Sequence, residues 1–206
     1  MSKKITEIKP QVKNKNRFSV FINGEFSFGI SEFDLLKLSL KQGQEFTDDE
    51  LIDIIKSVEE SECQEYANSL VNQKLYTEKK LREKLKLKQF SLVSINLVVD
   101  RLKDYGYIDD FLYAKTYIEE LHNKYGILKL KQKLYEKGIS REIIDECLEG
   151  FENHDTALSV LKIKTRGQKP IKDDYPKLLR FLAQKGFPYD QAKNALNTFL
   201  EEFDVE

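Results

Sequence analysis

The sequence predicts a mainly α-helical protein of tandem three-helix, helix-turn-helix-like repeats in an elongated array, with a small N-terminal β-hairpin or three-strand module. Three observations predict it. First, KLKLKQFS (84–91), KLYEKGIS (133–140) and FLAQKGFP (181–188) place Leu85, Leu134 and Leu182 at intervals of 49 and 48 residues. Five positions beyond each leucine stands an apolar residue: Phe90, Ile139 and Phe187. Second, an apolar series follows with one spacing kept three times. Its members are Ile95, Val98, Val99 and Leu102, then Ile144, Cys147, Leu148 and Phe151, then Ala192, Ala195, Leu196 and Phe199. A period of about 50 residues marks an array whose units bury their apolar faces largely against neighbours. Third, the opening residues have a different period, alternating bulky and polar side chains as half-buried strands do.

Those opening residues read as strands. RFSVFI (17–22) and EFSFGI (25–30) flank Asn23-Gly24, a strong hairpin signal because both turn residues tolerate positive φ. ITEIK (5–9) adds a third strand. From SEFDLLKLSL (31–40) the period changes, and Phe33, Leu36 and Leu40 suit a short helix stopped by Lys41-Gln42-Gly43. Thr47, with Glu50 three residues on, forms a capping box for a helix of Leu51, Ile54, Ile55 and Val58 that runs on through Tyr66, Ala67 and Leu70. The acidic face over its first four turns is expected to meet solvent.

Each repeat then reads as a helix, a turn and a second helix. Thr77 caps the helix of Leu81, Leu85 and Leu87; Ser91 caps 92–104 and Ser140 caps 141–150. Pro188 fits the first turn of the equivalent third helix. Gly138 and Gly186 hold the position where a left-handed cap favours glycine, and Gln89 takes it at some cost in the first repeat. Gly106 ends one helix, Asp109 or Asp110 caps the next, and Phe111, Ala114, Tyr117, Ile118 and Leu121 form its stripe. The expected divisions are 1–60 for the β module with its helices, 61–122 and 123–167 for two three-helix repeats, and 168–206 for a third, incomplete one. Asp155 caps the closing helix of the second repeat.

Composition supports helices over disorder: 33% of residues are charged, Gly and Pro number 9 and 4, and Trp is absent. No run of 18 apolar residues occurs and MSKKITEIKP lacks the apolar core of a signal peptide, so a cytoplasmic location with no membrane association is expected. A monomer is expected as well. Cys63 and Cys147 lie on helical patterns and read as reduced, buried thiols.

Net charge is −1 but unevenly spread. Residues 45–65 hold nine acids against Lys56 alone; 71–103 hold nine bases against three acids; 124–141 hold six bases against Glu136. Residues 162–172 carry Lys162, Lys164, Arg166, Lys169 and Lys172 without an acid. Such segregation leaves basic faces that suit a polyanion or an acidic protein groove, although solvated helices often look alike. Candidate contacts are Lys79, Arg82, Lys84, Lys86 and Lys103, then Lys129, Lys131, Lys133 and Lys137, then Lys164, Arg166 and Lys169. Lys79, Arg82, Lys86 and Lys103 are expected to share one outer surface.

Enzyme chemistry has little support. His122 and His154 lack partners at metal-ligand spacing, glycines do not cluster into a phosphate-binding loop, and Asp109-Asp110 reads as a helix start before it reads as a carboxylate pair. No cofactor or metal is expected. Tyr105, Tyr107, Tyr113 and Tyr117 have the chemistry to stack on bases, but at helical spacing core or rim positions are the plainer reading.

YTEKKLREKL (76–85), YGYIDDFLYAKTYI (105–118), YEKGIS (135–140) and AQKGFP (183–188), in this order, resemble the RecX family of bacterial regulators of the RecA recombinase. The resemblance spans roughly residues 5–203. It implies a non-enzymatic protein whose modules curve into the groove of the RecA–DNA filament and modulate its ATPase and strand exchange in homologous recombination, DNA repair and the SOS response. By the same resemblance Asp109, Asp110, Phe111 and Ala114 match the family's central segment and hold the modules together. Tyr76 stands where the family usually carries a base, and Lys80 where it usually carries an acid. A free-standing helix-turn-helix-like DNA-binding protein is the alternative, which the near-zero net charge and the acidic end (Glu201, Glu202, Asp204, Glu206) disfavour; a scaffold for proteins alone is a third.

Overall fold

The computed structural model describes residues 2–151 and 154–203. Asp204, Glu206 and the side chain of His154 lie outside the described residues. The chain divides into two compact units, Met1–Lys74 with Leu81–Tyr105, and Leu75–Lys80 with Gly106–Glu206.

In the first unit, β1 (Lys3–Pro10), β2 (Arg17–Ile22), β3 (Glu25–Ser31) and β4 (Glu45–Phe46) form an antiparallel sheet in the order β3-β2-β1-β4. Asn23 and Gly24 both take positive φ, 51° and 90°, the turn whose twist matches the flanking strands. Ile5, Val20, Ile22, Phe28 and Ile30 pack one sheet face against Leu40 and Val58. The two-residue β4 carries no signal in the sequence, because its pairing with Lys3 and Lys4 comes from distant chain.

The short helix α1 (Glu32–Lys37) departs from expectation. Phe33 and Leu36 are 68% and 72% exposed, whereas Asp34 is buried. The Asp34 carboxylate accepts hydrogen bonds from Ser31 Oγ (2.7 Å) and Ser61 Oγ (2.8 Å), so a polar anchor sets this helix instead of an apolar stripe. Positive φ at Ser39 ends the turn early and returns Leu40 to the core.

Helix α2 (Asp48–Val71) starts at the expected capping box: Thr47 Oγ1 accepts from Glu50 N, and the Glu50 carboxylate accepts from Thr47 N at 2.7 Å. The bond from Thr47 N foremost, and a second from Thr47 Oγ1 to the same carboxylate at 2.9 Å, lower the Glu50 pKa. Its acidic face does not all meet solvent. Glu62 pairs with Arg17 of β2, Glu59 accepts from Ser91 N, and Glu60 with Gln64 holds Arg101 at 2.9 Å. The later acids therefore fasten α2 to the strand and to the helix beside it. Of α3 (Glu78–Leu87) and α4 (Leu92–Asp104), Leu81, Leu85, Ile95, Val98, Val99 and Leu102 are buried, while Leu87 is exposed. Gln89 does take the left-handed conformation, φ 65°.

In the second unit α5 (Asp110–Leu121), α6 (Ile127–Lys137) and α7 (Arg141–Cys147) share one core of Ala114, Ile118, Leu130, Leu134, Ile139, Ile144 and Leu148. Helices α8 (His154–Thr165), α9 (Tyr175–Lys185) and α10 (Tyr189–Glu201) share another, around Leu161, Leu182, Phe187, Ala195 and Phe199. Packing therefore phases the modules differently from the expectation: α5 and α8 lead the pairs that follow them, and the last module has all three helices. The repeated leucine spacing identifies each helix pair but leaves open which flanking helix covers it. Helix α8 begins at His154, so Asp155 lies in its first turn and is not its cap, and α7 stops at Cys147. Pro188 is the N-cap of α10 and not its first residue.

A repeated joint links helix starts to helix ends within this unit. Thr77 Oγ1 donates to Lys137 O at 2.8 Å; 49 residues later, Gly126 N donates to Lys185 O at 2.9 Å. Each acceptor precedes a left-handed glycine, Gly138 (φ 91°) or Gly186 (φ 90°). A Cβ on Gly138 would fall 2.2 Å from Lys79 Cδ, and one on Gly186 would fall 2.3 Å from Lys129 N. Glycine is thus required twice over, as a left-handed cap and as a surface open enough for the next helix start.

Candidate functional site

The predicted basic residues divide by what holds them. On α3, Arg82 donates to Asn96 Oδ1 at 2.7 Å and lies 3.9 Å from Asp100 of α4, so its charge braces the helix pair. Lys84 and Lys86 on α3 and Lys103 on α4 are exposed. Lys79, in the second unit, lays its aliphatic stem over Gly138 and leaves the ammonium outside.

On α6 the four lysines go to different tasks. Lys129 Nζ reaches Gln132 Oε1 at 2.9 Å. Lys131 donates to Asp145 at 2.5 Å, and Arg141 approaches the same carboxylate at 3.4 Å. The hydrogen bond from Lys131 is the main cause of a lowered Asp145 pKa. Lys133 lies 4.9 Å from the Tyr125 ring centre and Lys137 5.7 Å from that of Tyr117. On α8, Lys164 lies 5.3 Å from the Phe181 ring centre. Arg166 and Lys169 follow α8 and are exposed.

Within the second unit the fold thus turns Lys133 and Lys164 onto aromatic rings and points Lys131 at an acid. Sequence reading missed Lys185, whose ammonium lies 5.1 Å from the Tyr125 ring centre and 5.7 Å from that of Phe181. A signal was present: Lys185-Gly186 repeats Lys137-Gly138, and both lysines meet rings.

The DD segment separates into two roles. Asp109 is the cap of α5, its Oδ1 accepting from Phe111 N and Leu112 N at 2.9 Å each. Asp110 Oδ1 instead accepts from Glu78 N at 2.9 Å, a second bond at the start of α3. Phe111 O faces Cys147 Sγ at 3.9 Å, its ring carries Lys115 at 4.6 Å, and Ala114 is fully buried between α5 and its partners. Tyr113 and Tyr117 stack on each other in the rim of that core, while Tyr105 and Tyr107 are exposed.

Among the described residues no group of three or more His, Cys, Asp and Glu side chains is placed to hold a metal ion, and no helix is long and apolar enough to cross a membrane. His122 Nδ1 lies 2.7 Å from the Glu119 carbonyl of its own helix. Cys63 is buried and Cys147 partly so, and both are free thiols.

Comparison with known proteins fits this arrangement. Residues 3–47 match the regulatory protein RecX N-terminal domain, and residues 109–148 match the RecX second three-helix domain. The latter span coincides with α5, α6 and α7. Regulatory protein RecX of Caldanaerobacter subterraneus subsp. tengcongensis is 31% identical over 94% of this chain and 98% of its own. That of Clostridium beijerinckii is 35% identical over 89% of this chain and 90% of its own. A crystal structure of regulatory protein RecX superposes with a TM-score of 0.68 at 24% identity, covering 95% of this chain and 99% of that one. RecX from Lactobacillus salivarius gives a TM-score of 0.61 at 22% identity, covering 72% and 98%. With a β module, three-helix units and near full-length relatives in agreement, this chain belongs to the RecX family of regulatory proteins.

Proposed function

We propose that this chain is a non-enzymatic, cytoplasmic regulator of the RecA recombinase, acting as a monomer that binds in the groove of the RecA–DNA filament and lowers its ATPase and strand-exchange activities. Family membership along nearly the whole chain supports the regulatory role. The structural observation that carries the contact is the set of exposed basic residues on separate helices: Lys84 and Lys86 on α3, Lys164 on α8, exposed although its ammonium lies over the Phe181 ring, and Arg166 just after it. None is held by a carboxylate among the described residues. Several weak contacts on linked modules raise avidity without one strong site. A body in the groove would also exclude a second DNA and hinder subunit movement during ATP turnover.

The test is single-stranded-DNA-dependent ATP hydrolysis by the cognate RecA, titrated with this protein at two salt concentrations. A salt-sensitive fall in rate at substoichiometric protein is expected, weakened when Lys84, Lys86, Lys164 and Arg166 are changed together to Glu. An unchanged rate overturns the reading. The same exposed residues are the feature that favours a free-standing DNA-binding protein, and tight salt-sensitive DNA binding in the absence of RecA would establish that alternative.

A further inference from the structure

The second unit contains a cavity of about 390 Å³, within the general range for ligand sites of about 300–1,000 Å³. Its lining includes Lys124, Tyr125, Ile163, Lys164, Phe181 and Lys185. We propose that this cavity is a docking site for an acidic peptide segment of another protein, taking one aromatic or aliphatic side chain between Tyr125, Phe181 and Ile163 and pairing flanking carboxylates with Lys124, Lys164 and Lys185. The proposal does not depend on RecA being a partner.

Three features carry it. The first is charge. Lys124, Lys164 and Lys185 on the lining, and Lys133 over Tyr125, have no carboxylate partner among the described residues, and the lining contains no acid. Carboxylates of a ligand would find charge-assisted donors already in place. The second is preorganisation. Tyr125 and Lys185 immediately precede Gly126 and Gly186, whose backbones are tied by Gly126 N to Lys185 O (2.9 Å) and Leu128 N to Gly186 O (3.0 Å). The main chain that carries the ring and the lysine is therefore fixed by backbone bonds, and the Lys185 ammonium rests over the Tyr125 and Phe181 rings, which reduces the ordering cost of binding. The third is an apolar rim. Ile163 is 78% exposed at the cavity, although neighbouring positions on α8 hold Val160 and Leu161 in the core.

The same geometry disfavours a nucleobase. The Tyr125 ring carries Lys133 and Lys185, and the Phe181 ring carries Lys164 and Lys185, all within 5.7 Å of the ring centres. A stacking base would have to displace ammonium groups from the rings. A carboxylate pairs with them where they stand, and an apolar side chain needs only the space between.

The experiment uses the full chain and fluorescence anisotropy. The probe is a fluorescein-labelled eight-residue peptide of Asp and Glu around one Phe. Controls are the same peptide with Ala for Phe, the same peptide with Asn and Gln for the acids, and labelled octathymidylate. The expected result is saturable binding of the Phe peptide, weakened about tenfold or more by either peptide change, by added salt and by Lys164→Glu with Lys185→Glu. Because Ile163 is exposed, Ile163→Asp leaves the fold intact and should abolish the binding by placing a like charge at the mouth. No saturable binding overturns the proposal, as does binding insensitive to Ile163→Asp. Binding of octathymidylate, lost in these variants, with none of the peptide, would reassign the cavity to nucleic acid.

Discussion

Gly126 lies against Gly186 so closely that a Cβ built on Gly126 would sit 2.3 Å from the Gly186 carbonyl oxygen. Gly126 has an ordinary φ of −77°, so its requirement for glycine is steric and not conformational. Gly126→Ala should therefore destabilise the protein by about 1–3 kcal/mol as an overpacked contact against main chain. Urea denaturation reads the loss, and amide exchange should quicken at Leu128, whose N–H bonds Gly186 O. An unchanged midpoint with unchanged exchange would mean that the joint gives way freely.

The equivalent joint at Thr77 is made by a side chain. Thr77 is buried; its Oγ1 donates to Lys137 O and accepts from Lys80 N at 3.2 Å. Thr77→Val keeps the shape and leaves both partners unsatisfied, with an expected cost of about 1–3 kcal/mol. Ser91→Ala, which removes a cap on an exposed residue, should cost about 1 kcal/mol. Equal losses in the two variants would show that the Lys137 bond adds nothing.

Asp34 is the polar anchor of the first unit, taking hydroxyl hydrogen bonds from Ser31 and Ser61. Asp34→Ala should cost about 1–3 kcal/mol by removing a buried carboxylate and leaving the half-buried Ser31 and Ser61 hydroxyls without their acceptor. Changing Leu36 on the same helix to Ser should be near neutral, since that residue is exposed. Thermal denaturation of both variants checks the inversion of polar and apolar roles on α1.

Burial pushes the Cys63 thiol up to about 11, with Glu59 and Glu60 adding repulsion to the thiolate. An acid whose pKa is raised by folding stabilises the fold below its unfolded pKa and loses that contribution as pH rises towards the folded value. Stability should thus fall more steeply between about pH 9 and 11 in the native sequence than in Cys63→Ala, by up to one proton's slope. Iodoacetamide at pH 8 should label the partly exposed Cys147 well before Cys63. Parallel pH slopes for the two proteins, or prompt labelling of Cys63, would contradict this.

How much was legible in the sequence follows from the range of each signal. The hairpin at Asn23-Gly24, the Thr47–Glu50 capping box, the caps at Ser91, Asp109 and Ser140, and the left-handed Gly138 and Gly186 are decided by neighbours in the chain. Leu85, Leu134 and Leu182 are all buried where their 49- and 48-residue spacing put them. The α1 face was misread because an apolar stripe shows only which residues are able to be buried. Ser61, 27 residues away from Asp34, settled the matter through a hydrogen bond that no local pattern encodes. Candidate lysines were legible as charges but not as contacts: Lys131 and Asp145 lie 14 residues apart and pair, while Lys164 turns onto Phe181.

By itself, then, the sequence determined the elements, their caps and the faces able to be buried, because periods of 2 and 3.6 and turn chemistry act over a few residues. Only the tertiary structure decided that α5 and α8 lead their modules, that Glu59, Glu60 and Glu62 serve as fastenings, and that Tyr125, Lys164, Phe181 and Lys185 surround one cavity. Those outcomes depend on which surfaces fit. Here the fit turns on two glycines, Gly138 and Gly186, whose missing Cβ atoms let main chain and side chains 50 to 60 residues away close against them.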